Sequence, residues 1–139
     1  MIRVPRILLP VLAIAIAIAC ASAPPPGPPV KTAPQAGVAT DLANGFYRAM
    51  QANNVTAASQ RFSDALKQSM PPERLGETFE TLRSQLGDLR WWQPTAQTRE
   101  GDYTKLFYRL EFDRGSMSGL VTVAPEDQTI LSVQFLPPR

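Results

Sequence analysis

Residues 70–92 read MPPERLGETFETLRSQLGDLRWW, and the change of period inside them decides the fold. Leu75, Phe79, Leu82 and Leu86 recur at steps of four, three and four, so one narrow apolar stripe runs along an α-helix. Pro71 and Pro72 suit the start of that helix, where a missing N–H costs little, and Gly87 suits its stop. After the stop comes Leu89-Arg90-Trp91-Trp92, an aromatic run suited to a strand. A lone helix of this length is marginal in water. Its stripe, worth roughly 1.5 to 3 kcal/mol per fully buried residue, needs a sheet to lie on, and the residues after Gly87 can form one.

Working outward towards the N-terminus, the pattern is helical. Thr40 or Asp41 can cap a first helix whose Leu42, Phe46, Ala49 and Met50 share a face. Asn53-Asn54 interrupts it, asparagine being tolerant of the left-handed conformation that ends helices. Val55, Ala58, Phe62 and Leu66 then keep helical spacing to Gln68, which predicts a second helix and makes the stretch after Met70 the third. Towards the C-terminus the period is two. Leu89, Trp91 and Gln93 alternate with Arg90 and Trp92, and Pro94 ends or bends that run. Beyond the turn at Glu100-Gly101-Asp102, Leu106, Tyr108, Leu110 and Phe112 face one side, and Lys105, Phe107, Arg109 and Glu111 the other. Turns at Asp113-Arg114-Gly115 and Pro125-Glu126-Asp127 lead into runs over 117–123 and 129–136. Three helices followed by four strands joined by short links predict an α+β domain over residues 39–139. Its helices would lie on one face of a curved, four-stranded, mainly antiparallel sheet.

Phe46-Tyr47, Asn53-Asn54-Val55-Thr56-Ala57-Ala58, Met70-Pro71-Pro72-Glu73-Arg74-Leu75, Leu86-Gly87 and Ile130-Leu131-Ser132-Val133-Gln134-Phe135 carry a family resemblance. They resemble a small bacterial domain of unknown function, found alone on exported proteins or ahead of an α/β-hydrolase. That domain is similar to the nuclear transport factor two-like, cystatin-like group of cone-shaped folds. The resemblance covers about residues 40–136 and implies a curved sheet facing a cavity beneath the helices. It brings no catalytic motif.

The start of the chain reads as a leader. Arg3 and Arg6 precede an almost wholly apolar, uncharged run over 7–19, too short to span a bilayer comfortably and broken by Pro10, so residues 1–19 fit a removable signal peptide. Cys20 is the only cysteine and has no disulfide partner within the chain. Ala17-Ile18-Ala19-Cys20 resembles the lipobox of bacterial lipoproteins, which implies lipid attachment at the Cys20 thiol and membrane anchoring in the cell envelope. With Ala21 next in line, the resemblance implies an outer membrane facing the periplasm if the cell has two membranes. Ordinary secretion is the other reading, because Ala19-Cys20-Ala21 also fits a cleavage site. Residues 20–38 would then be a lipidated cysteine followed by a Pro/Ala-rich tether, extended as polyproline II through PPPGPP at 24–29.

The remaining chemistry is sparse. The 139 residues contain no histidine, which excludes Ser-His-Asp and Cys-His catalysis and the common histidine metal sites. Lipidation would consume the only thiol. Fourteen basic against twelve acidic side chains become twelve of each once Arg3 and Arg6 leave with the signal, so no basic face for nucleic acid is expected. Glu73, Glu77 and Glu80 read as a solvated helix face beside Arg74 and Arg83, and Glu111 and Asp113 as partners for cross-strand ion pairs with Lys105 and Arg109. No metal, cofactor or catalytic residue is expected, and the chain reads as a non-enzymatic binding module for a small molecule or an envelope protein. The candidate pocket or partner surface is the aromatic set Trp91, Trp92, Tyr103, Phe107 and Tyr108, weighed against plain core packing. Adjacent on a strand, Trp91 and Trp92 must face opposite ways, and Trp91, in phase with Leu89, is expected inward. Two further readings stay open: self-association into a homodimer through the outer sheet face, and a cone-fold acid/base enzyme. The latter would need an acidic residue among Thr104, Leu106, Tyr108, Leu110 and Phe112, and none is acidic.

Overall fold

The computed structural model describes residues 31–137. The expected signal peptide, Cys20 and the proline run at 24–29 lie outside the described residues. In chain order the elements are β1 (Lys31–Thr32), α1 (Val38–Gln51), α2 (Val55–Ser59), α3 (Asp64–Ser69), α4 (Pro72–Leu86), β2 (Leu89–Glu100), β3 (Tyr103–Phe112), β4 (Gly115–Ala124) and β5 (Thr129–Leu136). The strands form one antiparallel sheet in the order β1-β2-β3-β4-β5. The class is α+β, as the change of period predicts.

The decisive stretch folds as read. Pro71 caps α4, Leu75, Phe79 and Leu82 are buried, Leu86 is half-buried, and the chain leaves the helix at Gly87 with φ 86°. A Cβ at Gly87 would lie 2.5 Å from that of Asp113, so the site needs glycine for space as well as for conformation. The stripe does not lie on the sheet along its whole length, however. The Phe79 ring meets Phe46 of α1 at 6.0 Å and Gly76 faces Val55 of α2, while Leu86 comes against Gly115 of β4. It is α1 that crosses the sheet, burying Ala43, Phe46, Tyr47 and Met50 against Leu106, Tyr108, Leu110, Val121 and Val123.

Four helices stand where three are expected. The interruption falls inside residues 55–68, because the Arg61 carbonyl and the Ser63 N–H bond to β5 instead of continuing the helix. Arg61 O accepts from Ile130 N at 2.7 Å, and Ser63 N donates to Ile130 O at 2.9 Å. The Ser63 hydroxyl then caps a new helix by accepting from Leu66 N at 3.2 Å. Ala58, Phe62 and Leu66 are still buried and Val55 is half-buried, so the apolar face survives the break. Asn53 has the expected positive φ of 54°, and the Asn54 side chain caps α2.

The sheet has five strands rather than four. Lys31 and Thr32, expected within the tether, pair with Thr98 and Gln97. The strand β2 continues past Pro94, which bends it: the register slips between Pro94 and Ala96. A second slip decides the tryptophans. Leu89 opposes Phe112 but Trp91 opposes Glu111, so the extra residue inverts the face of the residues from Trp91 to Pro94. Trp91 therefore points outward and is 44% exposed, while Trp92 is half-buried against the core. The expectation that Trp91 faces inward is corrected on this ground.

Candidate functional site

On the inner face of the sheet the aromatic cluster is packed ring against ring. Tyr47 of α1 and Tyr108 of β3 meet at 4.8 Å between ring centroids, Trp92 packs at 6.4 Å from Tyr47, and Phe46 closes edge-on at 5.3 Å. The Tyr108 hydroxyl donates to Asn44 Oδ1 at 3.0 Å. Among the described residues the Tyr47 hydroxyl has no hydrogen-bond partner, and it lies against Gly119, where a Cβ would overlap it. Burial pushes both phenols well above the ordinary range, with Tyr108 raising Tyr47 further and Asp41 raising Tyr108. Both stay protonated near neutral pH. The space that the cone-fold resemblance assigns to a cavity is thus filled here by side chains.

Among the described residues no helix covers the opposite face. Strand alternation turns Trp91, Tyr103, Phe107, Arg109, Ser116, Ser118, Leu120 and Leu136 towards it. The five aromatic residues picked from sequence are therefore split: Tyr108 and Trp92 belong to the core, and Trp91, Tyr103 and Phe107 to the open face. The outward three are not one cluster either. Trp91 opposes Glu111 and Tyr103 opposes Glu100, which sets them at opposite ends of the hairpin, roughly 25 Å apart at about 3.3 Å per residue. Phe107 lies between them.

Around Phe107 the open face is hollowed into a cleft of about 410 Å³, lined by Lys31, Ala96, Arg109, Ser116, Ser118 and Leu136, with Gly119 among its lining residues. That volume lies within the usual range for small-molecule sites, roughly 300 to 1,000 Å³. The register slip at Pro94/Ala96 brings Ala96 opposite Phe107, so a methyl group, not a large side chain, stands beside the ring. The Lys31 ammonium sits 4.3 Å above the centre of the Phe107 ring. Sequence reading turned Phe107 and Arg109 to the correct face but missed Lys31, Ser116, Ser118 and Leu136 as neighbours. Alternation could have found the serines; nothing in a two-residue strand signals Lys31.

The charges of this face are mostly paired. Glu100 holds Lys105 at 3.2 Å, and Glu111 holds Arg109 at 2.9 Å on its own strand. Asp113 accepts from Arg90 across the hairpin and from Asp88 N at 2.9 Å. That backbone donor, and then Arg90, hold the Asp113 carboxyl below the usual carboxylate range. Glu111 and Asp113 are thus both ion-paired, but only Asp113 pairs across strands, with Arg90; Glu111 pairs within β3, and Lys105 turns to Glu100. On α4, Arg83 turns to Asp88 at 3.1 Å and Arg74 to Ser69 O at 3.3 Å, so neither is held by the helix's glutamates. Two other hollows flank the helices. One lies between α1, α2 and Ile130, the other between α4, Met117 and Phe135. No helix among the described residues is long and apolar enough to cross a membrane.

The family described as Protein of unknown function (DUF3887) matches residues 43–130, more than half of the chain. The chain belongs to the DUF3887 family. The match runs from Ala43 in α1 to Ile130 in β5, so the DUF3887 core comprises the four helices and the β2 to β4 meander. Both Lys31 and Leu136 fall outside the matched stretch, and they close two sides of the cleft. No curated protein and no solved structure matches the chain.

Proposed function

We propose that this protein is an exported, lipid-anchored envelope module that binds a small ligand in the cleft on the open face of its sheet, without catalysing a reaction. One observation carries the reading: helices cover one face of the sheet, and the other holds a cleft of about 410 Å³ with an aromatic wall, an ammonium and two serines. The anchor rests on the basic, apolar and small-residue order of the leader ending at Cys20. With the acyl chains of a lipoprotein at Cys20, two or more lipid signals suffice for stable attachment. The eleven residues from Cys20 to Lys31 would span at most about 35 Å at the polyproline II rise, so the cleft would work close to a membrane surface. The helix-then-strand order also supports placing the domain in the cone-shaped α+β group, with the inner cavity filled.

The test is retention of a ligand through purification. Wild-type protein, Ser118→Trp, which fills the cleft, and Gln60→Trp, which fills the hollow beside α2, are purified from solubilised membranes, and bound small molecules are read by mass spectrometry. A species kept by wild type and Gln60→Trp but lost by Ser118→Trp is the expected result. Loss from Gln60→Trp alone would move the site to the helices. The same preparation tests the anchor, because wild type should carry acyl mass on Cys20 and Cys20→Ser should be released or unprocessed. Wild type wholly soluble and without lipid would contradict it.

A second reading, self-association through the same face, is favoured by Trp91 and Tyr103, which are 44% and 50% exposed there. Sedimentation separates the two: a dimer that dissociates in Trp91→Ala supports it, and a monomer at all concentrations removes it.

A further inference from the structure

The charges around the cleft are unbalanced in one direction. Among the described residues its lining includes Lys31 and Arg109 but no carboxylate. The acidic residues near it on the open face are already engaged, Glu100 by Lys105 and Glu111 by Arg109. Among the described residues Lys31 takes part in no ion pair, and its ammonium is placed by the Phe107 ring and by the pairing of β1 with β2. Its placement is also secured from the chain that follows it. The Thr32 hydroxyl donates to Gln97 O at 3.3 Å, and Gln35 N donates to Gln97 Oε1 at 3.1 Å. A cation held over an aromatic ring in a serine-walled cleft, with no ion-pair partner among the described residues, is the complement of a negative group.

We propose that the cleft selects a small anion with a flat or apolar body: the body lies along Phe107, Ala96 and Leu136, and its carboxylate, sulfonate or phosphate meets the Lys31 ammonium and the Ser118 hydroxyl, the serine nearer to Phe107 in the register. This rests on the reading of the cleft as a ligand site and adds the charge of the ligand to it. Arg109 contributes less than Lys31, because Glu111 already occupies its guanidinium. Docking of β1 and binding of the anion are linked, since the strand that brings Lys31 to the cleft is only two residues long. An anion in the cleft therefore protects the β1 to β2 pairing, and a neutral ligand of the same shape does not.

The probes are naphthalene-2-sulfonate and its uncharged counterpart naphthalene-2-sulfonamide, titrated by calorimetry into the purified full chain. The sulfonate is expected to bind about tenfold more tightly, the ratio that one charge-assisted contact of about 1.4 kcal/mol gives. Added salt should shrink that ratio by weakening the sulfonate alone. Lys31→Met, which keeps an apolar cover on Phe107, should abolish the preference, the sulfonate then binding no more tightly than the sulfonamide in the same variant. Arg109→Gln should lower it only in part and leaves β1 in place. Equal affinities for the two probes, both lost in Ser118→Trp, would overturn the anion preference and keep the cleft as a ligand site. Binding of both probes unaffected by Ser118→Trp, or no binding of either at millimolar concentration, would overturn the ligand site and the preference together.

Discussion

The Tyr47 hydroxyl makes the sharpest test of the packing beneath the cleft. It is the buried side-chain polar atom left without a hydrogen-bond partner among the described residues, and it rests against Gly119. A buried hydroxyl without a partner costs about 1 to 3 kcal/mol, whereas the ring beneath it keeps its contacts with Phe46, Trp92 and Tyr108 if the oxygen is removed. Tyr47→Phe is therefore expected to raise stability by about 1 kcal/mol, or about 4 to 8 °C in melting temperature for a domain of this size. Gly119→Ala places a methyl group where the oxygen lies and should cost about 1 to 3 kcal/mol. Combined, the two substitutions should recover most of that loss, a coupling of about 1 to 2 kcal/mol. Tyr108→Phe is the control. It deletes the bond to Asn44 Oδ1 and should cost about 0.5 to 1.5 kcal/mol. Urea unfolding followed by tryptophan fluorescence measures all four. If Tyr47→Phe destabilises as much as Tyr108→Phe, or if it fails to rescue Gly119→Ala, the packing of Tyr47 onto the sheet is misread.

Other consequences are equally direct. Phe79→Ala empties a fully buried site where α4 meets α1 and should cost about 3 to 5 kcal/mol, while Glu77→Ala on the exposed side of α4 should change stability by less than about 0.5 kcal/mol; equal effects in calorimetry would refute the stripe. Because the folded-state pKa of Asp113 is depressed, its contribution is present above the ordinary carboxylate pKa and is lost as pH falls through the lower folded value. Unfolding measured between about pH 5 and pH 2 should show a shallower acid limb in Asp113→Asn than in wild type. In single-tryptophan variants, acrylamide should quench Trp91 far more than Trp92, and the reverse would place the register slip elsewhere.

Much of this domain is legible from period alone, because each long element buries one face. The stripe of α4, the alternation of β3 and the limits of β5 follow from residue spacing, since Leu75, Phe79, Leu106, Tyr108 and Ile130 each have one place to go. Features set by hydrogen bonds across the chain are not legible. The break at 61–63 exists because Ile130 takes up that backbone, and the helical spacing of Val55, Ala58, Phe62 and Leu66 hides it. The inversion of Trp91 and Trp92 has the same origin: one extra residue in a ladder reverses a face, and alternation assumes that no such residue exists. The candidate site inherits both limits. Phe107 and Arg109 are readable as outward residues, but the cleft also depends on the slip at Pro94/Ala96 and on a two-residue strand from the tether.

The claim at the centre of this account is that recognition occurs on the open sheet face and not beneath the helices. Amide chemical shifts of the isotope-labelled protein, followed during titration with a set of small aromatic acids and their neutral analogues, test it most directly. The largest shifts are expected on Lys31, Ala96, Phe107, Ser118 and Gly119, greater for the acids and absent in Ser118→Trp. Shifts centred instead on Leu42, Ala57 and Gln60, beside α1 and α2, would contradict it.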